Sequence, residues 1–250
     1  MRKILLGAIC ALTLLLPQVG WTQSAGTNSL PPALRAAVQS GNPNAITQAI
    51  RALSGGNPQV AATLAMNVAT TAEQLVAVNP QAAVSAVEAA VAAINPTETP
   101  AQALSVASIA SRVIVNPAVQ RVAPQSVGAL AVTLSQLAST PSVYQANPSA
   151  AVTIMANAYA AVTAPTVTEA SPGAEQQVVS ALSAASNDPT LAQANPTTAA
   201  QINAILANAN QVQPSDTDTT QQTTTFETIS TLGDTGGGSN NPPIFSASPN

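Results

Sequence analysis

Few side chains in this 250-residue chain have the chemistry of a catalytic or metal site. Histidine is absent and Cys10 is the one cysteine, so a Cys/His metal site and an intrachain disulfide are both excluded. Glu73 and Glu88 fall on neighbouring predicted helices and could form an acid–base pair, although we expect each to lie on a polar helix face. Asp216 and Asp218 could contact a cation, but hard cations need six or more oxygen ligands on an ordered loop.

Two overlapping motifs close to the C-terminal end resemble protease sequences. Asp234-Thr235-Gly236 is similar to the Asp-Thr-Gly of aspartic proteases, whose chemistry requires two such carboxylates that share a proton. Only one copy is present. The run Gly233–Gly237 is similar to the sequence around a serine protease nucleophile, but with threonine in place of serine and no histidine in the chain to act as base. Neither activity is therefore predicted.

The arginines and tyrosines of the central region are candidates for ligand contacts. Arg51, Arg112 and Arg121 could collect a carboxylate or phosphate, although we expect isolated surface charges or partners for the two glutamates. Tyr159 fits an apolar helix face, whereas Tyr144 falls in a helix connection and could be a surface contact. We expect packing roles for both. The sequence thus predicts no catalytic, cofactor-binding or metal-binding residue, no cofactor and no enzymatic activity.

The composition describes an apolar chain with very few charges. Hydrophobic residues make up 46 %, aromatic residues 2 % and charged residues 6 %, against about 25 % charged in typical soluble proteins. Without Arg2 and Lys3 the chain has ten acidic residues and four arginines, a net charge of 4 − 10 = −6. A chain with no basic cluster is not expected to bind nucleic acid.

The N-terminal residues have the pattern of a secretory signal peptide. Arg2-Lys3 precedes a 13-residue apolar run from Ile4 to Leu16, which is shorter than the about 20 residues of a membrane-spanning helix. We predict a signal peptide over residues 1–24 and a linker over 25–31. The protein is then exported to the periplasm or outside the cell, with no transmembrane segment after cleavage.

The region that follows must position any functional side chain, and its recurring Asn-Pro pairs predict a series of helices. Asparagine caps helix N-termini and proline suits the first helical turn, so each Asn-Pro pair marks the end of one helix and the start of the next. Every second pair is separated by about 37 residues (79 − 42 = 37, 95 − 57 = 38, 116 − 79 = 37). These pairs are Asn42-Pro43, Asn57-Pro58, Asn79-Pro80, Asn95-Pro96 and Asn116-Pro117.

Apolar residues at offsets of 0, 3, 7 and 10 predict the faces that these helices bury. We expect an all-α domain over residues 32–212, an irregular array or bundle of antiparallel helical hairpins that is rich in alanine. Residues 163–173 lack the pattern and are predicted to be a loop that could subdivide the array. Residues 213–250 are predicted to be a disordered tail. The predicted faces include Val60/Leu64/Val68/Leu75, Val84/Val87/Val91/Ile94, Val127/Leu130/Leu134/Leu137, Val152/Met155/Tyr159/Val162 and Ile202/Ile205/Ala209/Val212.

Three functions are compatible with the sequence. The leading interpretation is an exported, non-enzymatic scaffold that binds a protein partner or a second copy of itself, because helical arrays offer extended surfaces. The alternative is a helical carrier that encloses an apolar small molecule or lipid. Ice binding is a minor alternative because the helical threonines show no 11-residue register. These are Thr47, Thr63, Thr70, Thr71, Thr97, Thr133 and Thr153.

Overall fold

A computed structural model describes residues 30–211, and this region is all-α as the sequence predicts. Within it there are thirteen helices and no strand. None of these helices is long and apolar enough to cross a membrane. The predicted signal peptide, most of the linker and the predicted tail lie outside the described residues.

The described helices alternate between long and short from the fifth onward, whereas the second, third and fourth are all long. Eight have 12 to 18 residues, and four of the other five have 6. In chain order they are α1 (Pro32–Gln39), α2 (Pro43–Ser54), α3 (Pro58–Leu75), α4 (Pro80–Ala93), α5 (Pro100–Ile114), α6 (Pro117–Val122), α7 (Pro124–Ser139), α8 (Pro141–Ala146), α9 (Pro148–Val162), α10 (Pro165–Ala170), α11 (Ala174–Asn187), α12 (Pro189–Ala194) and α13 (Pro196–Gln211).

Proline and asparagine define the helix starts. Every described helix except α11 begins with proline, which is tolerated there because the first-turn N–H has no helical partner. Asn42 is typical of the caps, since its Oδ1 accepts hydrogen bonds from the N–H groups of Asn44 and Ala45 at 3.0 and 3.4 Å. The same cap recurs at Asn57, Asn79, Asn116, Asn147, Asp188 and Asn195.

The prediction of a helix start at Asn95-Pro96 is wrong. Asn95 Oδ1 accepts from the N–H of Thr97 at 3.0 Å and closes a turn, and α5 begins only at Pro100. A helix that ran from Pro96 through Pro100 would require Pro100 to donate an N–H to the carbonyl of Pro96, and proline has none. The 37-residue interval therefore separates the helix starts at Pro43, Pro80 and Pro117 (80 − 43 = 37, 117 − 80 = 37), but it fails between Pro58 and Pro100 (100 − 58 = 42).

The prediction of a loop over residues 163–173 is also wrong in part, because α10 occupies Pro165–Ala170. This helix has six residues and buries only Val167, so it is too short to display an apolar stripe. It begins with proline, like the helices before it. Helices before and after it are in contact, since α11 packs on both α7 and α9.

From Pro100 onward, every helix start except that of α11 follows a 24-residue spacing, and α11 begins at Ala174, where 174 − 148 = 26. Long helices begin at Pro100, Pro124 and Pro148, with 124 − 100 = 24 and 148 − 124 = 24, and the last begins at Pro196, where 196 − 148 = 2 × 24. The short helices keep the same interval. Buried apolar residues recur with it, in the long helices at Val106, Leu130, Ile154, Val178 and Ile202, and in the short helices at Val119, Val143, Val167 and Leu191.

The eight long helices pack in two rows. One row contains α3, α5, α9 and α13, the other contains α2, α4, α7 and α11, and successive members of each row are in contact. Each long helix also contacts the long helix that follows it in the chain, which lies in the other row. Among the short helices, α6 contacts α10 and α8 contacts α12. The core lies between the two rows.

The buried face of α3 differs from its predicted apolar stripe. Val60 is 41 % exposed, Leu64 and Leu75 are half-buried, and only Val68 of the predicted four is fully buried. The face in contact with the neighbouring helices consists of Val68 with Ala62, Ala65, Ala69 and Ala72. Alanines allow the backbones of α3 and α4 to approach closely, which leaves the larger residues at the edge of the contact. By contrast, the predicted faces of α4 and α9 are buried throughout.

Candidate functional site

The strongest charged contact in the described residues joins two of the candidates. Arg112 on α5 donates to Glu73 on α3 through Nε–Oε1 at 2.9 Å and Nη2–Oε2 at 3.3 Å. The two side chains are 51 % and 42 % exposed. Glu88 is exposed on α4. An exposed ion pair between adjacent helices of one row is typical of structural surface charge rather than of an acid–base site.

The other two candidate arginines lie on the surface of separate helices. Arg51 is exposed in the last turn of α2, where a cation interacts favourably with the helix dipole. Arg121 Nε donates to the carbonyl of Pro117, one turn earlier in α6, at 3.1 Å. Within residues 30–211 no group of three or more acidic, histidine or cysteine side chains is placed to hold a metal ion. Asp216, Asp218 and Gly233–Gly237 lie outside this region.

Tyr144 and Tyr159 are core residues, as the packing interpretation predicts. Tyr144 is fully buried because α8 packs against α5 and α12, and its hydroxyl is hydrogen-bonded to Thr198 on α13. The possibility of a surface contact at Tyr144 is thereby excluded. Tyr159 on α9 is also buried, but its hydroxyl has no hydrogen-bond partner among the described residues. Burial, with a smaller contribution from the charge of Glu175, raises the pKa of Tyr159.

The helical threonines are largely occupied within their own helices. Thr63 Oγ1, for example, donates to the carbonyl of Gln59 at 2.9 Å. Such bonds satisfy the hydroxyl donor where it stands and leave only its acceptor lone pairs for a ligand. The same i to i−4 bond forms at Thr47, Thr70, Thr71, Thr133 and Thr153.

An exposed apolar surface lies where α2 ends and α3 begins. Leu53 in the last turn of α2 is 42 % exposed and Val60 in the first turns of α3 is 41 % exposed. A shallow depression of about 240 Å³ lies along the first turns of α3 and is lined by Gln59, Val60, Thr63 and Leu64. We refer to these five residues as the α2–α3 surface. The sequence pattern assigned Val60 and Leu64 to the core, so this surface emerges only from the packing.

Two further concavities separate described helices. A groove of about 400 Å³ lies between α7 and the α10–α11 connection, with Gly128 in contact with Ser171. A pocket of about 300 Å³ lies between α1, the end of α3 and the start of α4. The wall of this second pocket is mainly apolar. We call it the α1–α3–α4 pocket, and its lining residues are Leu30, Arg35, Val38, Gln39, Thr71, Leu75, Val78, Asn79 and Ala82.

Comparison with known proteins gives no relative from which a function could be transferred. No protein family matches the chain, and comparisons with curated proteins and with solved structures give no match either. The surfaces and pockets described above therefore carry the functional argument alone.

Proposed function

We propose that the protein is an exported, non-enzymatic helical-repeat scaffold that binds a protein partner through the α2–α3 surface. The observation that carries this proposal is the exposure of Leu53 and Val60 on adjoining ends of α2 and α3. Exposed aliphatic residues at consecutive helix ends, one of which lines a shallow depression, favour a protein-binding surface over an enclosed small-molecule site. Export follows from the predicted signal peptide over residues 1–24.

The 24-residue spacing of the helices after Pro100 supports a repeat of one long and one short helix. Stacked units of this kind, with consecutive long helices running antiparallel, would form an extended array whose outer surface is available to a partner. The α2–α3 surface belongs to the first two long helices, at one end of both rows. Among the described residues no further long helix packs beyond α2 and α3, so apolar residues there are available for a partner.

The scarcity of charge indicates how such a partner is recognised. Gln59 and Thr63, the polar residues of the α2–α3 surface, are neutral. Affinity would come mainly from apolar burial and shape, without strong electrostatic steering. Binding should consequently depend little on salt concentration, in contrast to an interface that rests on charge complementarity.

Affinity capture with matched variants tests the proposal. Residues 25–250 serve as bait against envelope and culture-supernatant fractions, together with Leu53→Ser/Val60→Thr and the control Val122→Thr. Val122 on α6 is 51 % exposed, and so provides an equally accessible aliphatic residue away from the surface. We expect one protein retained in stoichiometric amount by the unmodified bait and by Val122→Thr, and lost with the double variant.

Three results would contradict the proposal. They are retention of the same partner by the double variant, loss of the partner with Val122→Thr as well, and recovery of no stoichiometric protein. Light scattering on the purified bait separates a foreign partner from self-association. If the bound species is only a second copy of the chain, the surface is a dimer interface and the partner-binding proposal is wrong.

A further inference from the structure

We propose that the α1–α3–α4 pocket binds a medium-chain alkyl carboxylate, with the alkyl chain inside the pocket and the carboxylate on Arg35. This site is separate from the α2–α3 surface, and the inference does not rest on the proposed scaffold function. Three features carry it: an apolar interior, one cation among the lining residues, and a volume that limits the length of the ligand.

The interior of the pocket is apolar. Leu30 and Val38 supply buried side chains from the N-terminal end of the described chain, and Ala82 supplies another from the first turn of α4. Leu75 is half-buried in the last turn of α3. Val78 lies in the α3–α4 connection and is 83 % exposed, so a ligand that covers it would remove an aliphatic side chain from water.

Arg35 is the one charged residue among those that line the pocket, so it is the group for recognition of a charged ligand. Thr71 Oγ1 donates to the carbonyl of Asn67 at 2.8 Å, and Asn79 Oδ1 accepts from the N–H of Ala82 at 3.0 Å. Both groups are thus engaged within the fold. Arg35 Nη2 donates to the carbonyl of Leu30 at 3.2 Å, a bond that ties the guanidinium to the pocket wall.

The guanidinium of Arg35 retains donors for a ligand. Arginine has five N–H donors in a planar fork that matches a carboxylate in bidentate geometry. One of them is used by Leu30. Among the described residues, the single ion pair is between Arg112 and Glu73, so no acidic side chain in that region competes for Arg35. An anionic headgroup complements this site, whereas a cationic one would meet the arginine charge.

The volume sets the size of the ligand. A pocket of about 300 Å³ corresponds to about ten water-sized groups at about 30 Å³ each. Octanoate has about that number of non-hydrogen atoms and pairs an aliphatic chain with a carboxylate. It is therefore the probe that the pocket favours, and 1-octanol is the matched ligand of equal length without the negative charge.

Isothermal titration calorimetry on residues 25–250 tests the inference with octanoate and 1-octanol. We expect saturable binding of one octanoate per chain and at least tenfold weaker binding of octanol, because hydrogen bonds to charged groups contribute more than neutral ones. Arg35→Gln should weaken octanoate at least tenfold and leave octanol nearly unchanged. Arg51→Gln is the matched control, since it removes an exposed arginine of the neighbouring helix without altering the pocket.

Each alternative result has a defined meaning. Absence of saturable octanoate binding overturns the inference, as does equal affinity for octanoate and octanol. An equal loss of octanoate affinity in Arg35→Gln and Arg51→Gln would show that the overall positive charge, not the pocket, attracts the anion. Circular dichroism of each variant confirms that the helical fold is intact. Failure of octanoate binding leaves the capture experiment on Leu53 and Val60 unaffected, so the two proposals fail separately.

Discussion

Gly128 on α7 faces Ser171 so closely that alanine cannot replace it without strain. A Cβ atom at position 128 would lie 2.7 Å from Ser171 Cβ, 2.8 Å from Ser171 Oγ and 3.4 Å from Ala174 Cβ. Contacts below 3.0 Å are essentially never made by real Cβ atoms. Gly128 is buried within a regular helix, where alanine would otherwise be preferred. The close approach of α7 to the α10–α11 connection therefore explains the glycine.

The expected effect of Gly128→Ala is the difference between two terms. Helix propensity favours alanine by about 1 kcal/mol, and overpacking a close-packed site costs about 1–3 kcal/mol. The variant should lose about 0–2 kcal/mol of unfolding free energy, measured by urea denaturation with far-ultraviolet circular dichroism. Ala129→Gly gives the propensity term alone, because Ala129 is exposed on the same helix. It should lose about 1 kcal/mol.

A double-mutant cycle identifies the clash. Ser171→Gly removes the opposing Cβ. The double variant with Gly128→Ala should therefore have a free energy of unfolding about 1 kcal/mol or more above the value expected from the sum of the two single effects. Ser171→Ala keeps the Cβ and should recover less. If Gly128→Ala stabilises the protein by about 1 kcal/mol, as at an unobstructed helix position, or if the cycle shows no coupling, the close packing described here is wrong.

Four further predictions concern the core, alkaline stability, a helix cap and acid stability. Tyr144→Phe should lower the free energy of unfolding by about 1 kcal/mol, because Thr198 loses its buried hydrogen-bond partner. Tyr159→Phe should leave this free energy unchanged or raise it in the same urea assay. Equal losses in the two variants would contradict the hydrogen-bond assignment. Because the pKa of Tyr159 is raised in the folded state, ionisation of its hydroxyl opposes folding, and stability should fall as pH rises above about 10. Tyr159→Phe should reduce this fall in alkaline denaturation. Asn42→Ala removes the α2 cap and should cost about 1 kcal/mol, with faster amide exchange at Asn44 and Ala45; unchanged exchange would argue against the cap. Hydrogen bonds from the Thr190 side chain and backbone lower the pKa of Asp188, so its contribution is present above about pH 4 and lost as pH falls; an acid titration unchanged in Asp188→Asn would refute this.

Local signals in the sequence predict the helix boundaries well because capping is a local interaction. An asparagine and the proline after it specify a helix start without reference to the rest of the chain, as Asn42, Asn57 and Asn147 show. Asn95 fails for a reason that is also local, since Pro100 blocks a helix begun at Pro96. The 24-residue spacing is likewise visible as prolines, but it is missed when only Asn-Pro pairs are followed.

The buried faces are less predictable because they depend on neighbouring helices. A search for large apolar residues selects Val60 and Leu64 on α3, yet alanines occupy the contact with α4 and α5. A helix of this composition has two usable faces, one with larger side chains and one that permits closer approach. Its own sequence cannot select between them. The selection exposes Val60 and so creates the α2–α3 surface.

The α1–α3–α4 pocket combines residues that are remote in sequence, which is why the sequence did not reveal it. The α1–α3–α4 pocket joins Arg35 to Leu75 and Val78, and no motif relates these positions. The two proposed sites should nevertheless differ in one measurable respect. Octanoate binding depends on an exposed guanidinium, so higher salt should weaken it by screening. Partner capture through Leu53 and Val60 depends on apolar burial and should persist under the same conditions. Loss of both with salt would mean that charge also governs the α2–α3 surface, contrary to its neutral composition.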